Sequence, residues 1–185
     1  MKYSHTITLK DGRECILRNG TANDAEAALA VFLATHQQTD NLLTYPDENQ
    51  TTVDDEAQYL KDKTLSNNEI EIVAEVSGKI VGTAGISETG TCYKLRHRAE
   101  FGIGIDREYW GLGIGSAMLS ACIECAKKAG YSQVELNVVS DNHSAIAMYK
   151  KAGFVEFGRN PKGFRSRVNG YQELVYMRLD LEETF

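Results

Sequence analysis

The stretch Ile103-Gly104-Ile105-Asp106-Arg107-Glu108-Tyr109-Trp110-Gly111-Leu112-Gly113-Ile114-Gly115-Ser116 decides how this chain is read. It opens as the end of an apolar strand, Arg98 to Asp106, and enters a turn in which alternate residues are glycine. A helix is predicted to start there and run from Gly111 to Ala129. The first turn of a helix holds about four backbone N–H groups without intrahelical partners, at the positive end of the helix dipole. Glycines keep side chains away, so these amides are free to wrap an anion such as a phosphate. The helix behind is built to match: Leu119, Cys122, Ile123 and Ala126 are apolar, Ser116, Ser120 and Glu124 form a polar stripe, and Lys127 and Lys128 stand at the negative end before Gly130.

No lysine follows the glycines, which argues against a P-loop. The spacing is G-x-G-x-G rather than the G-x-G-x-x-G of dinucleotide sites. Glu135 does follow Gly115 by 20 residues, but it sits in the middle of a strand. A glycine-rich turn with no ligand is the plain alternative.

Outward from this segment, Gln133 to Val139 reads as a strand and Asp141 to Ala152 as a helix closed by Gly153. Phe154–Phe157 and Tyr171–Leu181 are the last expected strands. Upstream, Ile70, Ile72, Ala74 and Val76 alternate with Glu69, Glu71 and Glu75, the mark of a strand whose glutamates line a solvated face. Ser77-Gly78-Lys79 turns that strand into Ile80–Ile86. Thr21-x-x-Asp24 and Thr52-x-x-Asp55 are helix-start signatures, leading to Ala34 and about Leu65. A polar loop, His36 to Gln50, lies between them, and Thr6–Arg18 gives one or two strands around Asp11-Gly12. The order β-α-α-β-β-β-α-β-α-β-β predicts an α/β fold: a mixed, mainly antiparallel sheet with helices on both faces.

Two blocks carry a family resemblance. Trp110-Gly111-Leu112-Gly113-Ile114-Gly115 matches a Gln/Arg-x-x-Gly-x-Gly/Ala loop, with Trp110 in place of the polar residue. Asn142, Ala145, Tyr149, Gly153 and Phe154 match Asn-x-x-Ala-x-x-x-Tyr-x-x-x-Gly-Phe. The chain thus resembles the GCN5-related N-acetyltransferase (GNAT) superfamily from roughly Glu69 to Leu181, within the group of spermidine, amino-acid and ribosomal-protein N-terminal acetyltransferases. The resemblance implies acetyl-CoA as co-substrate. Backbone of Ile103, Gly104 and Ile105 would hold the pantetheine arm, amides from Gly111 to Ser116 the pyrophosphate, and Asn142 would reach the cofactor chain. The expected organisation is one domain, 1–185, with acceptor elements over about 1–68 and an acetyl-CoA core over about 69–181.

The chemistry sets its own demands. An alkylammonium of pKa about 10.4 is rarely deprotonated at pH 7, a penalty of about 4.6 kcal/mol. A carboxylate, directly or through water, takes that proton. Glu100, inside an otherwise apolar strand, is the candidate base; the alternative is a structural carboxylate paired with Arg96 or Arg98. Strand parity turns Glu100 and Ile105 opposite ways unless Gly102 or Gly104 admits a bulge. The departing thiolate, of pKa about 8.5, needs a donor. Tyr149, two helical turns from Asn142 and on its face, is the candidate, with a core tyrosine as the alternative.

Composition bounds the rest. With 26 Asp and Glu against 20 Lys and Arg, the net charge is −6, which suits a cationic small-molecule amine better than nucleic acid. Asp40, Asp47 and Glu48 in the polar loop are expected to form an acidic lip over the acceptor. No apolar run suggests a membrane or secretory segment, so a cytoplasmic chain with reduced thiols is expected. Cys122 and Cys125 share one helix with no second pair nearby, so no metal is expected. Asp180, Glu182 and Glu183 read as an acidic tail. A protein or peptide N-terminus as acceptor and a non-catalytic CoA-binding sensor are the alternative functions. Homodimers are common in this superfamily.

Overall fold

A computed structural model describes residues 1–181; Glu182 and Glu183 of the acidic tail lie outside them. One eight-stranded sheet runs through the chain. Its strands are β1 (Ser4–Thr8), β2 (Glu14–Asn19), β3 (Ile70–Val76), β4 (Lys79–Glu88), β5 (Arg98–Ile105), β6 (Gln133–Val139), β7 (Val155–Ser166) and β8 (Gly170–Asp180). They lie in the order β1-β2-β3-β4-β5-β6-β8-β7. Every neighbouring pair is antiparallel except β5 and β6. Between those two the chain crosses over through α3 (Ile114–Lys128), as a parallel pair requires. Helices α1 (Ala25–Gln38), α2 (Val53–Leu65) and α4 (His143–Lys151) complete the fold.

Alternation sorts the two faces. Ile70, Ile72, Ala74 and Val76 of β3 cluster with Met118, Leu119 and Cys122 of α3 in the main core. Each fully buried Ile or Leu contributes about 1.5–3 kcal/mol. Val73 points the other way and packs on Val31 of α1, while Leu60 of α2 buries against Ala25 and Ala28. The second face is therefore covered by α1 and α2, and the β3 glutamates do not line an open solvated surface. Glu69 pairs with the buried Lys63 at 3.0 Å, Glu75 with Arg18 at 2.9 Å, and Glu71 lies half-buried beneath α2.

The Thr52–Asp55 capping box forms as read, with Asp55 N donating to Thr52 Oγ1 at 3.2 Å. At Thr21–Asp24 the same pattern closes a single 3-10 turn before α1, which extends past Ala34 to Gln38. Strand β7 reaches Ser166, beyond the expected Phe157, because the breakers in Gly158-Arg159-Asn160-Pro161-Lys162-Gly163 are absorbed as irregularities in its pairing with β8. In β5, by contrast, pairing with β4 runs from Ala99 to Ile105 without a bulge. Gly102 and Gly104 permit a bulge and form none, so Glu100 and Ile105 face opposite sides of the sheet.

Candidate active site

The glycine segment forms an open cradle. After β5, Asp106 accepts from Glu108 N at 3.3 Å and from Gln38 Nε2 at 3.0 Å, fixing the corner into a short 3-10 turn, Arg107–Tyr109. Gly111 and Gly113 then adopt φ of +77° and +100°, a region that strains any L side chain. A Cβ built at either position meets nothing within 4 Å, so both face open space. Helix α3 begins at Ile114, later than Gly111, with no side chain capping it. Its first backbone bond is Ala117 N to Gly113 O at 3.2 Å, which leaves the amides of Ile114, Gly115 and Ser116 ahead of the helical ladder.

Gly115 serves another purpose. A Cβ there would stand 3.2 Å from Met148 Sδ and 3.5 Å from Ile105 Cδ1, so its absence lets α4 and the end of β5 close on the first turn of α3. Trp110 is half-exposed, and its Nε1 donates to Ile105 O at 2.7 Å. The indole thus ties the strand end to the turn, and the Ile105 carbonyl is engaged within the chain. Leu112 O accepts from Lys10 N at 3.2 Å, bracing the loop on the β1–β2 turn.

Strands β5 and β6 pair only over Arg98–Glu100 with Gln133–Glu135. Beyond that, Phe101 to Ile105 pairs with β4 and Leu136 to Val139 with β8. The sheet therefore splays next to the cradle, exposing backbone of Ile103 and Gly104 on that edge. Tyr149 stands against this split. It is 6% exposed, its ring is edge-on to Phe101 at 6.2 Å and 5.8 Å from Phe154, and burial pushes its pKa up to about 12. Asn142 starts α4, where its Oδ1 accepts from Ala145 N at 3.2 Å; that oxygen is committed to capping.

A cleft of about 690 Å³ opens on the α1–α2 side of the sheet. Its floor is the second face of β4 and β5, where Thr83, Gly85 and Ser87 meet Gly104, Gly102 and Glu100. Glu100 is exposed here. Arg98 turns to Glu135 instead, and among the described residues Glu100 has no ion pair. Phe101 lines the cleft and also touches Tyr149, so the cleft and the split share one residue.

The sequence reading missed Glu71. Its register partner is Gly85, whose own partner on β5 is Gly102, giving a row with one side chain and two glycines. A Cβ at Gly85 would overlap Glu71 Oε2 and stand 2.7 Å from Ile70 O. The carboxylate thus lies in a slot that only glycine leaves open. Tyr59 OH donates to Oε2 at 3.2 Å. Burial raises the Glu71 pKa to about 7, against the lowering effects of the Tyr59 and Thr83 hydroxyls and of Lys63. Burial beside Glu71 likewise raises the Tyr59 phenol, keeping it a donor. The sequence did hold a signal: Val73, on the same side as Glu71, is too apolar for a solvated face. Gly85→Ala should displace the carboxylate and lower the melting temperature, checked by a thermal melt.

The polar loop after α1 does reach the cleft, through Leu42, Leu43 and Thr51. Its acids, however, are spent on the β7–β8 tip and form no free lip. Asp40 accepts from Tyr45 OH at 2.8 Å, Ser166 Oγ at 2.5 Å and Asn169 Nδ2 at 2.8 Å. Asp47 pairs with Arg167 at 2.7 Å, and Glu48 lies 3.6 Å from the same guanidinium.

Comparison with known proteins bears on the family and the fold. A family model described as Acetyltransferase (GNAT) family matches residues 32–154. The L-amino acid N-acyltransferase MnaT of Escherichia coli is 24% identical over 130 residues, covering 70% of this chain and 74% of its own length. An acetyltransferase of the GNAT family from Streptococcus pneumoniae superposes with a TM-score of 0.85 at 27% identity, covering 90% of this chain and 99% of that one. The yncA protein of Salmonella typhimurium, a structure with acetyl-CoA, shares the fold at a TM-score of 0.80 and 19% identity, covering 91% and 95% of the two chains. The chain belongs to the GNAT family and is an N-acetyltransferase of that type.

Proposed function

We propose that this enzyme moves an acetyl group directly from acetyl-CoA to a primary amine of a small molecule. The observation that carries the reading is Glu71, a carboxylate with a pKa near neutrality on the floor of a cleft that reaches the splayed edge of β5. Such a group accepts protons at working pH without being permanently ionised. Glu71 is preferred to Glu100 as base because the slot over Gly85 and the Tyr59 hydroxyl fix its position, whereas Glu100 is exposed on the same floor.

The cradle suits the co-substrate's pyrophosphate. Gly111 and Gly113 leave open the space a Cβ would fill, and the α3 amides point a helix N-terminus at an anion. Ile103 and Gly104, on the splayed strand, are placed to hold the pantetheine arm by backbone. When bound, acetyl-CoA supplies an activated acetyl group and a thiol leaving group. Glu71 takes one proton from the acceptor ammonium. As the carbon–nitrogen bond forms and the carbon–sulfur bond breaks, a second proton leaves nitrogen and ends on sulfur. Tyr149, with a pKa near 12, stays protonated and donates a hydrogen bond to the departing sulfur rather than surrendering its proton.

Tyr149→Phe should lower kcat by about 10²-fold and leave the acetyl-CoA Kd unchanged; an unchanged kcat would remove Tyr149 from this role. The loop pinned to the β7–β8 tip walls one side of the cleft through Leu42, Leu43 and Thr51, which supports a small acceptor over a protein N-terminus. An acceptor screen of polyamines, amino acids, aminoglycosides and N-terminal peptides, read by thiol release, tests the function. Acetyl-CoA binding without thiol release on any amine would overturn it in favour of a CoA sensor.

A further inference from the structure

The walls of the acceptor cleft have a one-sided charge. Besides the Tyr59 phenol, the ionisable side chains lining it are Asp55, Glu56, Glu71, Glu100 and His36. Four are carboxylates, and among the described residues no Lys or Arg lines the cleft. His36 holds its Nδ1 2.7 Å from Phe32 O, and burial lowers its pKa below 6.5, so the ring is neutral at pH 7. Cations around the cleft are already engaged. Lys63 lies 3.0 Å from Glu69 and donates to Ser87 Oγ at 2.7 Å, Arg98 is paired with Glu135, and Arg167 with Asp47. Among the described residues no group of three or more His, Cys, Asp or Glu side chains comes together to hold a metal ion. The acids are spread along the wall.

These carboxylates are not equivalent. Asp55 caps α2, accepting from Thr52 N at 3.0 Å and Thr52 Oγ1 at 2.6 Å. Glu71 sits in its glycine slot under Tyr59. Glu56, one turn before Tyr59, is half-buried, and its carboxylate makes no hydrogen bond or ion pair among the described residues. Glu100 is likewise unpaired. Between these charges the wall is apolar: Phe32, Leu42, Leu43 and the Tyr59 ring.

Resting on the reading above, we infer that the acceptor is an organic dication without a carboxylate, a diamine or polyamine. One amine reacts beside Glu71, a second ammonium is held by Glu56 and Glu100, and the methylene chain runs along the apolar wall. An amino-acid acceptor, the kind named for the Escherichia coli relative, would bring its carboxylate against like charge, with no Lys or Arg among the described residues lining the cleft to receive it.

Three probes isolate each charge. Cadaverine is L-lysine without the carboxylate, and pentylamine is cadaverine without the second amine. With the full chain and saturating acetyl-CoA, cadaverine should exceed both in kcat/KM by about 10²-fold. Glu56→Gln should shrink the cadaverine-to-pentylamine ratio by about tenfold, with a thermal melt to confirm folding. L-lysine or L-methionine used as well as cadaverine, or pentylamine matching it, would overturn the inference while leaving acetyl transfer intact. Thiol release with none of these acceptors, despite acetyl-CoA binding, would overturn the inference and count against the small-amine reading itself.

Discussion

Glu71→Gln should lower kcat/KM by about 10³-fold, which is about 4.1 kcal/mol of transition-state stabilisation. The wild-type kcat/KM should rise with pH through about 7, where burial has placed the Glu71 carboxyl, and the variant should lose that limb. A carboxylate of ordinary pKa 4.5 would give a profile already flat at pH 6. Stability supplies an independent sign. The folded-state pKa is raised, so the fold favours the protonated form. Its stabilising contribution is full below about pH 4.5 and is lost as pH rises through about 7. Gln cannot ionise, so the variant should melt higher than the wild type at pH 8 and about equally at pH 4.5. Activity lost with stability gained marks a residue kept for chemistry. If Glu71→Gln keeps both rate and profile while Glu100→Gln loses them, the base is Glu100.

Gly113→Glu should weaken acetyl-CoA binding by at least about 10²-fold, read by titration calorimetry. Two effects act together. The residue holds φ at +100°, where a Cβ costs about 1–2 kcal/mol. The new carboxylate would also enter the open space beside the α3 amides, and like charges about 5 Å apart at an effective dielectric of 20 repel by about 3 kcal/mol. Gly113→Ala separates the two, since it carries the strain without the charge. It should lose thermal stability and keep most of its affinity. Equal affinity in Gly113→Glu and wild type would show that the pyrophosphate lies elsewhere.

The sequence by itself determined the parts governed by neighbours along the chain. Alternation in Ile70–Val76, the Thr52–Asp55 cap and the glycines at 111, 113 and 115 each encode a local geometry. From their order, the mixed sheet and an open glycine turn at the start of α3 could be read. Tyr149 and Asn142 were singled out by the family block they match, and a spacing of two helical turns puts them on one face.

Tertiary structure alone decided what lies across the sheet. Glu71 looked like one of three solvated glutamates. Its slot over Gly85, the cover of α1 and α2, and the Tyr59 hydroxyl come from other elements of the fold, with Tyr59 and Gly85 themselves 12 and 14 positions away, and burial by those elements is what moves its pKa. The loop acids Asp40 and Asp47 looked free for a substrate until the β7–β8 tip, more than 100 residues later, claimed them. The net charge of −6 is likewise read differently in three dimensions. Its useful part is the few carboxylates that the fold leaves unpaired in one cleft, because a charge recognises a ligand only where no neighbour has already neutralised it.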